Sequence, residues 1–423
     1  MLNRLSEVIM KYILILLFIA FITSCRQNHP LQKEYPNTIS VSISNDSDID
    51  RTDELISIKI KSLAEHFNAN AFVVIDGQNE LASQAIDLDS DGNFEEVAFL
   101  CTLKSRGEKT IKIIYAKEGK KTREYPKRTQ AELSHKTGGK WVKREYEGGE
   151  FKNVSFLNLP PEHTDHSWYL RYEGPGWESD KVGYRFYMDW RNAVDIYGKK
   201  TPEMVLQNVG KDGFDSYHEM ADWGMDILKV GSSLGIGSIG MWIADSAQRV
   251  EKTDSISCSI ETNGVIQSSI KTNYFGWQID NQSFNLSSSV TINAGSRLTK
   301  CDLKVRKNPS NLCTGIVKHD SAEVIKSNNA KSEWQYLATY GKQSLNNDNL
   351  GMAVIYKASE LETLTEDKHS NVVVLKPSQG FITYYYLAAW ELEPSGIKNK
   401  ETFIGYLDDI LKTLNNPISV RFN

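Results

Sequence analysis

The sequence predicts a mainly β protein, with a small N-terminal β-sandwich followed by a large antiparallel β-sandwich and a few helices. The first observation is alternation: Ile39, Val41 and Ile43 are separated by serines, which is the period-two pattern of a strand. The second is that similar short apolar runs recur along the chain between Asp, Asn and Gly turns. The third is that helical patterns are few.

Changes in composition divide the chain into four parts. These are a secretory signal (1–25), a polar tether (26–37), the N-terminal β-sandwich (38–126) and the large β-sandwich, expected to be catalytic (127–423). The strands expected in the first sandwich lie near 39–43, 55–60, 71–75, 96–100 and 110–115. Those expected in the second lie near 141–146, 168–172, 183–189, 267–275, 287–292, 298–305, 334–340, 352–356, 372–375 and 381–390.

Two helices are expected in the second part. Thr201 precedes Pro202, which places a capping residue before a proline at the first helical position. Residues 401–414 carry Phe403, Leu407 and other apolar side chains on one stripe at helical spacing.

The first residues predict export. Lys11 precedes the apolar run 12–22, which is shorter than the roughly 20 residues of a membrane-spanning helix and meets small residues before Cys25. We expect Cys25 to be lipidated, with an ordinary cleaved signal as the alternative. No acidic cluster follows Arg26, so we expect an outer-membrane lipoprotein that faces the periplasm and meets the membrane through its lipid alone.

The composition is that of an ordinary globular protein, with 40% hydrophobic and 24% charged residues. The net charge of −5 provides no basic stripe, so we expect no nucleic-acid partner. Nine tryptophans and 19 tyrosines supply flat rings with polar edges, which suit sugar stacking and also suit a β-rich core.

Four cysteines are left once Cys25 carries the lipid, and they are expected to be structural. An oxidising compartment permits disulfides, and Cys301 and Cys313 are near enough in sequence to staple a hairpin. No Cys-x-x-Cys occurs in the sequence, which argues against redox or zinc-ribbon chemistry.

The first candidate region is residues 172–195, where acids, bases and aromatic residues are interleaved. Strand alternation places Arg185, Tyr187 and Asp189 on one face. Arginine binds carboxylates bidentately and a phenol can transfer a proton, so this row suits sugar-acid chemistry. A buried ion-pair network that braces the sheet is the alternative.

The second candidate region is residues 212–229. His218 lies between Tyr217 and Glu219, with Asp222 and Trp223 close behind, and a histidine beside carboxylates is suited to proton transfer near neutral pH. Helical spacing would also let His218 and Asp222 bind a metal. A structural histidine is the alternative.

Three further motifs are weaker. His163 and His166 could bind a metal, but a polar loop is the preferred interpretation. The glycines of 231–240 lack the context of a phosphate loop. Asp87, Asp89 and Asp91 have calcium-loop spacing, although Ala98 stands where the bidentate glutamate belongs, so Ca²⁺ would need Glu95 or Glu96.

Several longer motifs resemble a family of uncharacterised lipoproteins from bacterial polysaccharide-utilisation clusters, known as a domain of unknown function. The motifs are Glu173-Gly-Pro-Gly-Trp-Glu-Ser-Asp-Lys181, Asp189-Trp-Arg-Asn-Ala-Val-Asp-Ile-Tyr-Gly-Lys-Lys200, Ser216-Tyr-His-Glu-Met-Ala-Asp-Trp-Gly-Met-Asp226 and Ser233-Leu-Gly-Ile-Gly-Ser238. The chain is also similar to an ulvan oligosaccharide dehydratase. Ser289-Val-Thr-Ile-Asn-Ala-Gly-Ser-Arg297 resembles a strand of galactose-mutarotase-like supersandwiches. The resemblance implies that uronic-acid oligosaccharides are the substrates.

The leading hypothesis is β-elimination from uronic-acid oligosaccharides, by a lyase or a dehydratase. Arg185 or Arg191 would neutralise the sugar carboxylate, His218 would act as base and Tyr187 as acid. Substrate-binding roles are predicted for Trp177, Glu178, Asp180, Tyr217, Asp222, Trp223 and Lys229.

Two alternatives stay open at this point. A glycoside hydrolase would pair Glu178 with Asp180, Asp189 or Asp222. A glycan-binding lipoprotein without activity would need the aromatic rings but no histidine among acids.

Overall fold

The computed structural model describes residues 29–89, 91–328 and 331–422. Strands dominate the described chain, and the pairs of neighbouring strands in its sheets are antiparallel, which confirms the mainly β prediction. The predicted signal segment and Cys25 lie outside the described residues. Within those residues, no helix has both the length and the apolar composition that crossing a membrane requires.

Two facing sheets form the N-terminal sandwich. Their strands are β1 (Asn37–Ser44), β2 (Arg51–Lys59), β3 (Phe72–Asp76), β4 (Asn79–Leu81), β5 (Ser83–Ile86), β6 (Glu96–Leu103) and β7 (Glu108–Tyr115). Alternate residues such as Val41, Ile56, Phe99 and Ile113 meet between the sheets. The opposite face of the β2–β6–β5 sheet packs on the large sandwich.

The remaining strands follow along the chain, and all but the last belong to the large sandwich. They are β8 (Thr129–Glu132), β9 (Ser134–Thr137), β10 (Lys140–Val142), β11 (Glu145–Glu147), β12 (Glu150–Asn153), β13 (Phe156–Asn158), β14 (Gly176–Ser179), β15 (Val182–Phe186), β16 (Val194–Lys199), β17 (Gly224–Asp226), β18 (Gly240–Ile243), β19 (Ser246–Arg249), β20 (Ser255–Asn263), β21 (Gln267–Ile279), β22 (Gln282–Asn293), β23 (Leu298–Arg306), β24 (Leu312–Val317), β25 (Ala322–Lys326), β26 (Trp334–Lys342), β27 (Asn349–Lys357), β28 (Leu361–Glu366), β29 (Ser370–Leu375), β30 (Phe381–Trp390) and β31 (Ser419–Phe422).

Nine of these strands form one long sheet, in the order β13-β20-β21-β22-β23-β30-β27-β26-β25. Two five-stranded sheets, β17-β16-β15-β14-β8 and β19-β18-β24-β29-β28, share one apolar core with it. Strands β9 to β12 form an arm in which β10 pairs with β11 and β9 pairs with β12. The arm borders the β17-β16-β15-β14-β8 sheet, which we call the site sheet.

The last strand returns to the first sandwich. Strand β31 pairs with β1, with Val41 opposite Phe422. The division at residue 126 stays a prediction, and this strand adds that residues 419–422 belong to the N-terminal sheet.

One α-helix, Lys400–Asn415, covers the outer face of the nine-stranded sheet, as the apolar stripe predicted. Asn399 caps it by accepting a hydrogen bond from the Thr402 N–H at 2.8 Å. Phe403 and Leu407 are buried against the sheet. A Cβ on Gly351 would lie 2.6 Å from the Phe403 ring, so the glycine provides the space that the ring fills. Among the described residues, the other helical segments are 3₁₀ turns at Pro30–Lys33, Ile60–Ser62, Arg171–Glu173, Ser216–His218 and Ala358–Glu360.

Three local predictions were wrong. No helix follows Thr201, because the N–H groups of Val205 and Leu206 bond the buried carboxylate of Glu178 instead of helical carbonyls. The strand predicted at 168–172 is irregular and ends in a left-handed turn. Residues 141–146 form a hairpin that turns at Lys143, whose φ is +57°.

The proposed staple between Cys301 and Cys313 is also wrong. The four cysteines in the described chain are free and buried. Cys301 lies on β23 in the nine-stranded sheet, whereas Cys313 lies on β24 in a different sheet and packs in a different apolar cluster. Burial raises the pKa of the Cys301 thiol to about 12, which keeps it protonated and unreactive.

Replacing Phe403 with alanine should lower the free energy of unfolding by about 3–5 kcal/mol, because the change leaves a cavity over Gly351. Urea denaturation of the purified protein measures the change. Glu401→Ala on the exposed face of the same helix should change it by less than about 0.5 kcal/mol. Equal losses in the free energy of unfolding of the two variants would show that the Phe403 ring is not packed over Gly351.

Candidate functional site

The site sheet places a row of charged side chains on the face turned away from the main core. Arg185 on β15 lies directly opposite Asp195 on β16, and Asp226 on β17 lies opposite Tyr197, two residues further along β16. Because side chains alternate along a strand, these residues share one face. The loop from 200 to 218 covers that face and buries them.

Arg185 is the centre of the row. Its Nη2 lies 2.8 Å from Asp195 Oδ2 and 2.5 Å from Asp226 Oδ2. Its Nη1 donates to the Tyr217 hydroxyl at 2.8 Å, and Nη2 is 2.7 Å from the Tyr187 hydroxyl. All five residues are buried, so the guanidinium is surrounded by protein acceptors.

Asp195 and Asp226 share one cation, Arg185, and this sharing affects the pKa of Asp195. Burial and the neighbouring negative charge of Asp226 raise the pKa of Asp195 to about 7, against the favourable effect of Arg185. The Tyr187 hydroxyl donates to Asp195 Oδ2 at 2.5 Å. Asp195 therefore holds a proton more readily near neutral pH than an ordinary aspartate does.

His218 stands at the exposed end of this row. Its Nε2 is 3.4 Å from Asp226 Oδ2 and its Nδ1 is 2.6 Å from the carbonyl oxygen of Phe214, with 44% of the side chain exposed. Both neighbours are acceptors, so both ring nitrogens must carry protons for both contacts to be hydrogen bonds. The bond to Asp226 raises the pKa of His218 above its usual value, which favours the imidazolium.

Glu173 extends the cluster through a strained turn. Tyr172 and Glu173 have φ values of +38° and +69°, which side chains rarely adopt. Glu173 Oε1 lies 2.5 Å from Arg191 Nη2, and its Oε2 lies 3.7 Å from Arg185 Nη1. Burial opposes ionisation, but the two arginines outweigh it, so the pKa of Glu173 lies below its usual value.

His166 stands at a second exposed edge of the same cluster. Its backbone N–H donates to Glu173 Oε1 at 3.1 Å, and 62% of its side chain is exposed. Its Nδ1 lies 3.3 Å from Asp165 Oδ2 and 3.7 Å from Glu173 Oε1, so both carboxylates face the same ring nitrogen. The sequence analysis interprets His166 as part of a polar loop. The adjacent Asp165 is the sequence feature that could have marked this histidine as a site residue.

Aromatic rings join the two histidines. The Phe214 ring lies 5.2 Å from the His166 ring, and its backbone carbonyl contacts His218. The Trp168 ring packs on the Phe214 ring at a tilt of 38°, with the ring centres 4.3 Å apart. Trp223 is half-buried against Tyr197 nearby. The predicted sugar-stacking role of Trp223 is compatible with this position and stays a prediction.

Three predicted substrate contacts do not fit the structure. Trp177 is in the core, where its Nε1 donates to Thr299 Oγ1 at 2.9 Å. Glu178 forms a fully buried ion pair with Lys199 at 2.6 Å. Asp180 is buried and pairs with Arg128. These side chains brace the site sheet and cannot touch a sugar.

The predicted roles of Arg185, Tyr187 and Arg191 also need correction. Arg185 and Tyr187 are buried and bonded to one another, so neither can reach a substrate. Arg191 binds Glu173 and Asp189, which occupy its guanidinium.

The remaining predicted contacts divide by burial. Tyr217 is buried, and its hydroxyl accepts a hydrogen bond from Arg185. Asp222 and Lys229 are exposed on either side of β17, and no contact in the described chain joins them to the cluster. Their substrate roles stay predictions.

The acidic loop lies apart from this cluster, between β5 and β6 of the N-terminal sandwich. Carboxylate oxygens of Asp87, Asp89, Asp91 and Glu95 lie within 4.8 Å of one another. Glu95 is one of the two glutamates expected to complete the loop. Several of these oxygens also accept backbone N–H groups, for example Asp87 from Gly92 at 2.8 Å. Both the calcium site and the plain acidic turn therefore stay open.

Residues 43–420 match a domain of unknown function, DUF4861. No curated protein matches the chain. Among solved structures, an α-mannosidase from Enterococcus faecalis is similar over 91% of this chain and 46% of its own, at 10% identity and a TM-score of 0.43. A glycosyl hydrolase family 38 protein from the same species is similar over 91% of this chain and 47% of its own, at 10% identity and a TM-score of 0.42. The chain thus spans about half the length of these structures.

His218 should titrate above its usual pKa, with both ring nitrogens protonated below the midpoint, and Asp226→Asn should lower that midpoint. Nitrogen-detected NMR on histidine-labelled protein measures both. Because the folded pKa is raised, this contact contributes stability below pH 6.5 that is lost as pH rises through the folded pKa.

Asp222→Asn is the matched control, since it removes an exposed carboxylate from the same segment. A midpoint that stays unchanged in Asp226→Asn would show that Asp226 does not hold the imidazolium.

Proposed function

The chain belongs to the DUF4861 family, and we propose that it is a carbohydrate-active enzyme that acts on uronic-acid oligosaccharides by β-elimination. The observation that carries the proposal is the pair of exposed histidines, His166 and His218, at two edges of one buried charge cluster. At His218 both ring nitrogens lie against acceptors, whereas at His166 the carboxylates of Asp165 and Glu173 both lie against Nδ1, so a substrate would meet His166 through Nε2. An elimination needs one group to remove a proton and another to deliver one.

In the proposed reaction, His166 is the base. Its Nε2 takes the proton from the carbon beside the sugar carboxylate, and the C–H electrons form a carbon–carbon double bond. The bond from the neighbouring carbon to its oxygen substituent breaks, and the His218 imidazolium gives a proton to the departing oxygen. These assignments replace His218 as base and Tyr187 as acid, because Tyr187 is buried.

The buried cluster has a supporting role in this scheme. Asp226 orients His218 and favours its charged form, while Glu173 holds the backbone of His166. Arg185 connects the two carboxylates. We regard these as positioning residues.

The geometry gives the hydrolase alternative less support. Glu178, Asp180 and Asp189 are buried and ion-paired, so none of them can protonate or attack a glycosidic bond where it stands. A glycan-binding protein without activity remains one outcome of the experiment below.

The sequence of residues 11–25 supports an exported lipoprotein anchored through Cys25. We propose that it faces the periplasm, where imported oligosaccharides are the substrates.

Cells that express the wild-type chain should incorporate labelled fatty acid into it, and Cys25→Ala should abolish the label. Cys101→Ala should keep it, since Cys101 is buried in the first sandwich. Label retained in Cys25→Ala would refute the anchor.

Incubation with acidic oligosaccharides should generate the ultraviolet absorbance of an unsaturated uronate, and His166→Ala and His218→Ala should each lower kcat by about 10²-fold or more. Mass spectrometry separates the outcomes: a dehydratase product loses one water, a lyase divides the chain without adding water, and a hydrolase adds one water.

His66→Ala is the control, because His66 is an exposed histidine of the N-terminal sandwich. Full activity in both site variants would refute the assignment. Tight binding without any product would favour the binding protein.

A further inference from the structure

An open groove lies beside the candidate site, between the arm and the loop that follows Val205. It encloses about 690 Å³, within the range of roughly 300–1,000 Å³ that is common for ligand sites. Its lining residues are Ser134, Lys136, Gly149, Glu150, Phe151, Asn153, Arg171, Gln207 and Lys211.

The groove carries an excess of positive charge. Its lining contains three cationic side chains, Lys136, Arg171 and Lys211, and one carboxylate, Glu150. Arg171 is buried and ion-paired with Glu132 beneath the groove. The ammonium groups of the two lysines therefore provide the charge that a ligand could meet.

Two buried donors also line the groove. Ser134 and Arg171 are 1% and 2% exposed, and Ser134 Oγ and Arg171 Nε have no hydrogen-bond partner in the described chain. Buried polar groups are usually paired, so these two unpaired donors beneath the groove favour a ligand with acceptor oxygens over an apolar one.

A shared aromatic wall connects the groove to the histidines. The Lys136 ammonium lies 5.7 Å from the centre of the Trp168 ring. Trp168 packs on Phe214 with ring centres 4.3 Å apart, and Phe214 contacts His166 and His218. A ligand in the groove would thus lie next to the proton-transfer groups.

We propose that this groove is an oxyanion subsite, in which Lys136 and Lys211 bind the acidic group of a sugar. This rests on the proposed function and deepens it, since Arg185 and Arg191 are occupied by protein carboxylates and leave the substrate charge without a partner. A carboxylate and a sulfate ester share the required chemistry. The sugar would extend along Trp168 towards His166.

Calorimetry on the full chain carrying His218→Ala tests the subsite without turnover. The probes are a trigalacturonate, a sulfated neutral trisaccharide and an uncharged trisaccharide. Lys136→Ala with Lys211→Ala should weaken binding of the charged probe about tenfold, the effect of removing two partly exposed charges, and leave the uncharged probe unchanged. The better charged probe identifies carboxylate or sulfate as the natural group.

The control is Lys140→Ala with Lys152→Ala, which removes two exposed lysines of the same arm that do not line the groove. Equal affinity of the parent and the Lys136/Lys211 variant, or no binding of either charged probe, overturns the subsite. Lysine-dependent binding without any unsaturated product overturns the elimination and leaves the subsite standing. Product formation that does not depend on either lysine overturns the subsite and leaves the elimination standing.

Discussion

The contact on which this structure depends is the buried guanidinium of Arg185 between Asp195 and Asp226. Three strands of the site sheet bring these groups together, and the 200–218 loop excludes water from them. Removing one partner of such a cluster leaves an uncompensated buried charge, which costs about 3–5 kcal/mol. The loop can close over the sheet only because each charge beneath it has a partner, and closure in turn fixes the buried Phe214 beside His218, whose side chain stays exposed.

The same cluster explains how the strained turn at Tyr172 and Glu173 persists. Positive φ at non-glycine residues costs of order 1–3 kcal/mol each and survives only where the surroundings determine it. Glu173 is held by two arginines, and a Cβ on Gly174 would lie within bonding distance of the Phe186 carbonyl oxygen. The turn thus separates two functions: Glu173 contacts His166, while Arg171 lines the basic groove.

The period-two pattern predicted most of the long strands, because burial on one face of a sheet imposes it directly, and the 401–414 stripe predicted its helix for the same reason. The site residues were harder to predict from the sequence. Alternation places Arg185 and Tyr187 on one face, but whether that face is open depends on a loop that contacts it from far along the chain. Trp177 looked like a sugar platform, since nothing local shows that Thr299 accepts its N–H. Thr201 and Pro202 resembled a helix start, yet Glu178 captures the N–H groups that a helix would use.

Proton transfer to or from a substrate requires groups that the substrate can reach. By that criterion the buried arginines, tyrosines and acids of the site sheet are scaffold, however suitable their chemistry looks in the sequence. His166 and His218 differ, because each has a carboxylate on one side and a large exposed fraction on the other. The charge that recognises an acidic substrate must then come from side chains outside the cluster, and Lys136 and Lys211 stand on the surface that continues from the histidines through Trp168.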